Sequence, residues 1–170
     1  SGDSAVLIQL GSVISPQVNA AVHALDAGIK SANINGIVET VPAFASLLVL
    51  YDPVVIGYEE ISGTLRAICE NPTSVSERKS FLYTIPVCYG DEFGEDLEDV
   101  AAHAGMSADE VVRCHSERTY LIYMLGFLPG FPYLGGLDPA IACPRLASPR
   151  QKIEAGSVGI GGEQTGVYPL

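Results

Sequence analysis

The stretch Gly126–Gly136, GFLPGFPYLGG, decides how the second half of this chain folds. Its four glycines and two prolines continue neither a strand nor a helix, because Gly permits positive φ and Pro fixes φ and lacks an amide donor. The remaining residues are Phe, Leu and Tyr, which a solvated linker would not carry. The stretch therefore predicts a loop that crosses a core or lines a pocket, and aromatic pockets with few polar groups are the usual small-molecule sites.

The sequence on either side of this loop indicates β-structure. Tyr120–Leu125, directly before it, is a short apolar run of the kind that forms strands. A second glycine-rich stretch, Gly156–Pro169, ends the chain with the same mixture of Gly and apolar residues. We therefore expect the second half to be mostly β, in the form of a barrel.

The first half alternates strand and helix patterns. Ser15 followed by Pro16 marks a helix start, with Ser as N-cap and Pro at the first helical position. The predicted strands are Ser4–Leu10, Ile37–Val41, Ser46–Tyr51 and Ser80–Tyr89, and the predicted helices begin at Pro16 and Tyr58. The order β-α-β-β-α-β is the ferredoxin-like split pattern, with a four-stranded antiparallel sheet and two helices on one face.

The composition changes near residue 90, which predicts two domains in an α+β chain. Residues 1–90 form the small ferredoxin-like domain, and residues 91–170 form a helical lead-in and the barrel portion. The lead-in begins with an acidic turn over Asp91–Asp99, whose carboxylates suit the positive end of a helix. Ser107 followed three residues later by Glu110 is a capping box and predicts a further short helix.

Bulk composition excludes several classes of protein. The net charge is -11, with sixteen acidic and four basic residues through Val112, and nucleic-acid binding needs clustered Lys and Arg instead. We find no signal-peptide pattern and no apolar run long enough to span a bilayer. The four cysteines are far apart, which fits reduced thiols in the cytoplasm and no zinc site. We predict a cytoplasmic protein without a metal centre or a membrane partner.

Candidate site residues lie in the second half. His115, at the end of the predicted capping-box helix, is either a general base or ligand donor, or a favourable charge at a helix C-terminus. Arg145 and Arg150 flank a proline-rich segment and suit carboxylate or phosphate recognition, unless they pair with Glu154 or Glu163. The remaining candidates are the polar Gln164 and Thr165, the glycines Gly159, Gly161 and Gly162, whose amides could bind an oxyanion, and the aromatic residues Phe127, Phe131, Tyr133 and Tyr168.

Several of these motifs together resemble one family. They are Cys114-His115-Ser116, Gly126–Leu134, the segment from Pro144-Arg145 to Pro149-Arg150, and the two parts of the final loop, Gly156–Ile160 and Gln164–Pro169. The chain resembles the B subunit of bacterial 5-oxoprolinase, also called allophanate hydrolase subunit 1 or Kip-type kinase inhibitor. Gly2–Ala5 and Ile85–Gly90 match the N-terminal and linker motifs of this family, so the likeness covers essentially the whole chain.

The resemblance implies a small α/β domain followed by a cyclophilin-like β-barrel. It also implies a complex with subunits A and C that hydrolyses 5-oxo-L-proline to L-glutamate with consumption of ATP and its Mg²⁺. Under this interpretation His115, Gln164 and Thr165 are catalytic, and Arg145 or Arg150 holds the substrate carboxylate beside the aromatic residues. Gly159, Gly161 and Gly162 then serve the anionic cofactor. Family chains usually continue beyond Tyr168-Pro169, so we expect the barrel to be truncated at its C-terminus.

Two other functions stay open at this point. One branch of the family is described as inhibiting a sporulation histidine kinase through the barrel, and both functions would use the same loops. The third interpretation is a component of an allophanate hydrolase or of another amide hydrolase. Aromatics that face solvent near Phe127 would favour protein binding, and aromatics that close over a polar pocket would favour catalysis.

Overall fold

The computed structural model describes residues 3–70 and 80–169 of the chain. Contacts divide the chain into two compact units, Ser1–Phe81 and Leu82–Leu170. No helix in the described residues is both long and apolar enough to cross a bilayer.

The first unit contains a three-stranded antiparallel sheet and two helices. Its elements in chain order are β1 (Ala5–Gln9), α1 (Pro16–Ala32), β2 (Ile37–Pro42), β3 (Ser46–Tyr51) and α2 (Tyr58–Glu70). The strands lie in the order β1-β3-β2. The Ser15 side chain accepts a hydrogen bond from the Val18 amide at 3.1 Å, which confirms the predicted helix start. The core consists of Val22, Leu25, Ile29, Leu47, Val49, Tyr51, Ile56, Ile61 and Leu65.

The predicted strand over Ser80–Tyr89 is wrong. These residues have no regular secondary structure, and among the described residues the ferredoxin-like pattern stops after its fifth element. The alternating side chains bury no face, since Phe81 is 75% exposed and Tyr83 and Ile85 are exposed as well. An alternation predicts a strand only where a sheet edge accepts it, and Pro86 removes one of the amide donors that pairing would need.

The second unit places helices before a four-stranded antiparallel sheet. Its elements are α3 (Leu97–Ala104), α4 (Ala108–Ser116), β4 (Leu121–Leu125), β5 (Pro132–Gly135), β6 (Val158–Gly161) and β7 (Gln164–Val167), with 3₁₀ turns at Asp91–Phe93 and Pro139–Ile141. The capping box is present, with Ser107 and Glu110 bonded in both directions. The strands lie in the order β4-β5-β7-β6. The cyclophilin-like closure of this sheet into a barrel stays a prediction.

A second core joins these helices to the sheet. It consists of Ala101, Val111, Leu137 and Ile141, with Ile160 of β6 packed against it. Through Ile160 this core lies against one face of the sheet.

Candidate functional site

The pairing of strands β5, β7 and β6 places the predicted site residues on two faces of one sheet. Tyr133 lies opposite Gly166, and Gly166 lies opposite Gly159. One position along each strand, Leu134 lies opposite Thr165, and Thr165 lies opposite Ile160. Because successive side chains in a strand point to opposite faces, these two sets lie on opposite sides. We call the side of Tyr133, Gln164, Gly166, Gly159 and Gly161 the glycine face, and the side of Leu134, Thr165 and Ile160 the helix face.

Aromatic rings pack on the glycine face over the glycine residues, which have no side chain there. A Cβ atom added to Gly166 would lie 2.6 Å from Cζ of Phe131, so the ring rests directly on that backbone. Phe131 is 8% exposed and its ring centroid lies 5.0 Å from those of both Tyr133 and Tyr168, in edge-on geometry. A Cβ at Gly159 would lie 3.6 Å from the Tyr168 ring. The predicted aromatic set is thus one cluster.

Phe127 forms the exposed end of this cluster. It is 72% exposed, and its ring makes edge-on contacts with Phe131 and Tyr168 at centroid distances of 5.7 and 6.4 Å. Its φ is 66°, a left-handed conformation that strains a bulky residue. Backbone strain of this kind clusters at binding and catalytic sites.

Replacing Phe127 with Gly should therefore change the free energy of unfolding by less than about 1 kcal/mol, because relief of the left-handed strain offsets the lost ring contacts. Urea unfolding measures this, with Phe131→Ala as the comparison, for which truncation of a buried ring should cost about 3–5 kcal/mol. If Phe127→Gly lowered the free energy of unfolding as much as Phe131→Ala, the backbone at Phe127 would not be strained.

Arg145 lies at the other end of the glycine face. A Cβ at Gly161 would lie 3.3 Å from Nε of Arg145, so the arginine side chain crosses that glycine. The guanidinium is exposed and has no ion-pair partner within residues 3–70 and 80–169. Gln164 pairs with Gly161, so its half-buried side chain lies on the same face. This face presents one unpaired cation and one amide beside aromatic rings.

The second predicted arginine has an acidic partner within the chain. Arg150 donates to both carboxylate oxygens of Asp96, at 2.5 and 2.6 Å, and lies 3.6 Å from Glu95. The Arg150 hydrogen bonds hold the pKa of Asp96 below its usual range. Glu154, which the sequence offered as a partner, pairs with Lys152 instead. Arg150 therefore anchors a loop. The two arginines, which the sequence predicts to have the same role, differ in the structure because, among the described residues, only Arg150 has an acidic partner.

His115 and Thr165 meet on the helix face, away from the aromatic cluster. His115 is 7% exposed and lies in the last turn of α4, whose C-cap is Glu117. Its Nε2 lies 3.0 Å from Oγ1 of Thr165, and its Nδ1 lies 2.5 Å from the hydroxyl of Tyr89. The Tyr120 hydroxyl donates to the His115 carbonyl at 2.6 Å. Both ring nitrogens have hydrogen-bond partners, so this buried histidine connects helix α4 to strand β7 and to the segment that contains Tyr89.

Burial lowers the pKa of His115, which makes a pH dependence of stability predictable. The folded chain holds the imidazole neutral, and the unfolded chain protonates it below about pH 6.5. The unfolded state then binds more protons, so the stabilisation is complete above that pH and is lost as the pH falls toward the lower folded pKa.

We expect the free energy of unfolding to decrease between about pH 7.5 and 5.5, and His115→Gln to flatten this slope. Urea unfolding across that range measures it, with His103→Gln, on an exposed ring, as the matched control. An unchanged slope in His115→Gln would refute the assignment.

The predicted oxyanion loop is a tight hairpin. Gly162 has φ 63° in the two-residue turn between β6 and β7, where a primed turn requires glycine. Its amide donates to the Cys143 carbonyl at 2.8 Å, and the Gly159 carbonyl accepts from the Thr165 hydroxyl at 3.1 Å. Gly161 and Gly159 provide space for Arg145 and Tyr168. In this structure the three glycines serve packing and turn formation, and their assignment to an anionic cofactor stays a prediction. The described residues also contain no His, Cys, Asp and Glu group able to hold a metal ion.

Sequence reasoning missed Tyr89, Tyr120 and Asp96. Their roles depend on tertiary contacts, which a sequence pattern does not show: Asp96 and Arg150, for example, are 54 positions apart. Only Tyr89 could have been suspected, because it places a hydroxyl group at the end of an otherwise apolar alternation.

Comparisons with known proteins agree with this assembly of motifs. The family model of the carboxyltransferase domain, subdomain C and D, matches residues 1–170. The chain is 46% identical over 180 residues to the B subunit of 5-oxoprolinase from Bacillus subtilis, covering 99% of this chain and 75% of that protein.

Solved structures show the same fold. TTHA0988 superposes with a TM-score of 0.84 at 32% identity, over 98% of this chain and 32% of the TTHA0988 chain. Urea carboxylase of Kluyveromyces lactis, at 17% identity and a TM-score of 0.74, covers 99% of this chain and 17% of its own and shows the fold alone. The resemblance predicted from the loops is confirmed. The chain belongs to the carboxyltransferase subdomain C and D family, among the relatives of the 5-oxoprolinase B subunit.

Proposed function

We propose that this chain is one component of an ATP-dependent 5-oxoprolinase that hydrolyses 5-oxo-L-proline to L-glutamate together with subunits A and C. The identity of 46% to a protein named as the B subunit of 5-oxoprolinase carries this proposal. Because that relative is named as a subunit, its name supports partner chains for this one as well. Cytoplasmic location is part of the proposal and is supported by four cysteines without disulfides.

The glycine face is the proposed binding surface for the lactam. Arg145 receives the substrate carboxylate, because an unpaired guanidinium matches it bidentately. Gln164, on the same face, pairs with the lactam amide, for which a carboxamide offers one donor and one acceptor. The rings of Tyr133, Tyr168 and Phe127 cover the apolar ring carbons. In this arrangement the chain holds and orients a stable amide for hydrolysis.

His115 and Thr165 have a supporting role in this proposal. They lie on the helix face, and their polar atoms are bonded to Tyr89 and to the Gly159 carbonyl. The residues that touch substrate are therefore those of the glycine face.

ATP and its Mg²⁺ belong to the partner chains in this proposal. The Gly162 amide is committed to Cys143, and no carboxylate cluster suited to a metal occurs among the described residues. The contribution of this chain is confined to the lactam.

The test is glutamate release from 5-oxo-L-proline with ATP, using this protein co-expressed with its A and C partners. Release that requires all three chains, and that stops when this one is omitted, is the expected result. Folded and assembled partners that release no glutamate would refute the proposal. Allophanate, offered in parallel, tests the neighbouring amide-hydrolase assignment.

A regulatory function is the second candidate, because large apolar side chains are exposed beside the cluster. Phe127, Leu125 and Leu121 all face solvent, and such patches mark protein contacts. Inhibition of the autophosphorylation of a sensor histidine kinase by the purified chain, with no glutamate release from the complex, would favour this function over hydrolysis.

A further inference from the structure

The hydrogen bonds around His115 run in one direction and can be assigned completely. The Gly159 carbonyl can only accept a hydrogen bond, so the Thr165 hydroxyl donates its single proton to this oxygen, 3.1 Å away. Thr165 Oγ1 must then accept from Nε2 of His115, 3.0 Å away, which requires a proton on Nε2. Nδ1 is consequently the acceptor in a neutral ring, and the Tyr89 hydroxyl, 2.5 Å away, donates to it.

The environment of this chain of bonds supports the neutral ring. His115 and Thr165 are both buried, and burial disfavours the imidazolium. Burial also raises the pKa of Tyr89, and chiefly through burial the pKa of Tyr120 rises to about 12, so both phenols keep their protons. Tyr120 is bonded to the His115 carbonyl and does not compete for the ring. Tyr89 is thus the group that occupies the lone pair of Nδ1.

The chain of bonds ends directly beneath the proposed binding surface. Thr165 lies in β7 between Gln164 and Gly166, whose positions are on the glycine face. Its hydroxyl also ties β7 to Gly159 of β6, so the hairpin that carries Gln164 is fixed from behind. Two side chains, His115 and Thr165, therefore connect Tyr89 to the strand that carries Gln164.

We propose that Tyr89 is a positioning residue: its hydrogen bond to Nδ1 holds the His115 ring in the Nε2–H form that Thr165 requires and, through Thr165, it fixes the placement of the hairpin β6–β7 that carries Gln164. This inference rests on the proposed function of the glycine face. Tyr89 touches neither substrate nor the reacting atoms in this assignment. It acts through His115.

Nitrogen-15 NMR of the imidazole rings tests the tautomer without any activity. The wild-type chain should show His115 protonated on Nε2 only, with Nδ1 accepting a hydrogen bond. In Tyr89→Phe the hydrogen-bond shift of Nδ1 should disappear, and the hairpin amides should exchange faster with solvent. Tyr83→Phe is the matched control, because that phenol is exposed and has no bond among the described residues. A proton on Nδ1, or Tyr89→Phe signals identical to the control, would overturn the inference.

Thr165 provides a second pair of variants in case Tyr89→Phe folds poorly. Thr165→Val removes the acceptor of Nε2–H and should release the tautomer, whereas Thr165→Ser keeps the hydroxyl and should restore it. Equal His115 spectra in the two variants would argue against the relay.

Kinetics of the assembled complex provide the functional measurement. Tyr89→Phe should raise KM for 5-oxo-L-proline about three- to tenfold, the effect of one neutral hydrogen bond, with kcat nearly unchanged. An unchanged KM in Tyr89→Phe, with the Nδ1 hydrogen bond shown to be lost, would overturn the positioning role. A complex without any 5-oxoprolinase activity would instead refute the proposed function, and the NMR and exchange results would still decide whether Tyr89 fixes the hairpin.

Discussion

Replacing Arg145 with alanine is expected to raise KM for 5-oxo-L-proline about 10- to 100-fold in the assembled complex, since a hydrogen bond to a charged group contributes about 1.5–3 kcal/mol. The guanidinium crosses Gly161 on the glycine face and has no ion-pair partner among the described residues, so nothing within the chain replaces it. Because the substrate carboxylate takes no part in breaking the lactam bond, the effect should appear mainly in KM.

Arg150→Ala is the matched control for this prediction. Its guanidinium is held by both oxygens of Asp96, so its loss should affect the loop and leave KM within about twofold. Arg145→Lys should be intermediate, because lysine retains the charge and loses the planar fork. Steady-state kinetics of the three variants decide the matter. Equal KM changes at the two arginines would show that the glycine face does not bind the carboxylate.

The elements that sequence predicted well are those fixed by neighbours in the chain. Ser15 accepts a hydrogen bond from the Val18 amide, and Ser107 and Glu110 bond each other in a capping box, so both helix starts are fixed within four residues. The strand over Ser80–Tyr89 needed a distant edge, and the alternation of Phe81, Tyr83 and Ile85 carries no information on whether that edge is available. The three strands predicted before it are present because each has a partner in the sheet, so a local alternation predicts a strand only where an edge accepts it.

The candidate site shows the same division. The aromatic and glycine residues that the sequence collected do lie together, because they belong to loops and strands that are paired in one sheet. Alternation along Gln164, Thr165 and Gly166 already implied that Thr165 faces away from its neighbours. Which residue it meets there, His115 at a separation of 50 positions, was not readable from the chain.

The arginines illustrate a third limit. Arg145 and Arg150 stand in equivalent proline-flanked positions, and only the fold shows that Asp96 neutralises one of them. Their equal treatment by sequence follows from the fact that ion pairs depend on tertiary contacts, which spacing does not encode.

Gly166→Ala should lower the free energy of unfolding by about 1–3 kcal/mol. The new Cβ would lie 2.6 Å from Cζ of Phe131 and 3.2 Å from the Pro132 carbonyl oxygen. Phe131 is enclosed by the rings of Tyr133 and Tyr168, so it cannot turn aside without moving them. Urea unfolding followed by the near-UV signal of the aromatic residues measures the loss, and KM should rise with it.

A control and a double mutant separate the steric cause from a general cost of alanine. Gly63, in the middle of α2, has no atom within 4 Å of an added Cβ, so Gly63→Ala should stabilise by about 0.5–1 kcal/mol through helix propensity. Phe131→Leu removes the ring that clashes at Gly166. In a double-mutant cycle, Gly166→Ala should therefore be less damaging in the Phe131→Leu background, with a favourable coupling of at least about 0.5 kcal/mol. Additive effects would mean that the Phe131 ring does not pack on Gly166, and this would contradict the aromatic cluster on the glycine face.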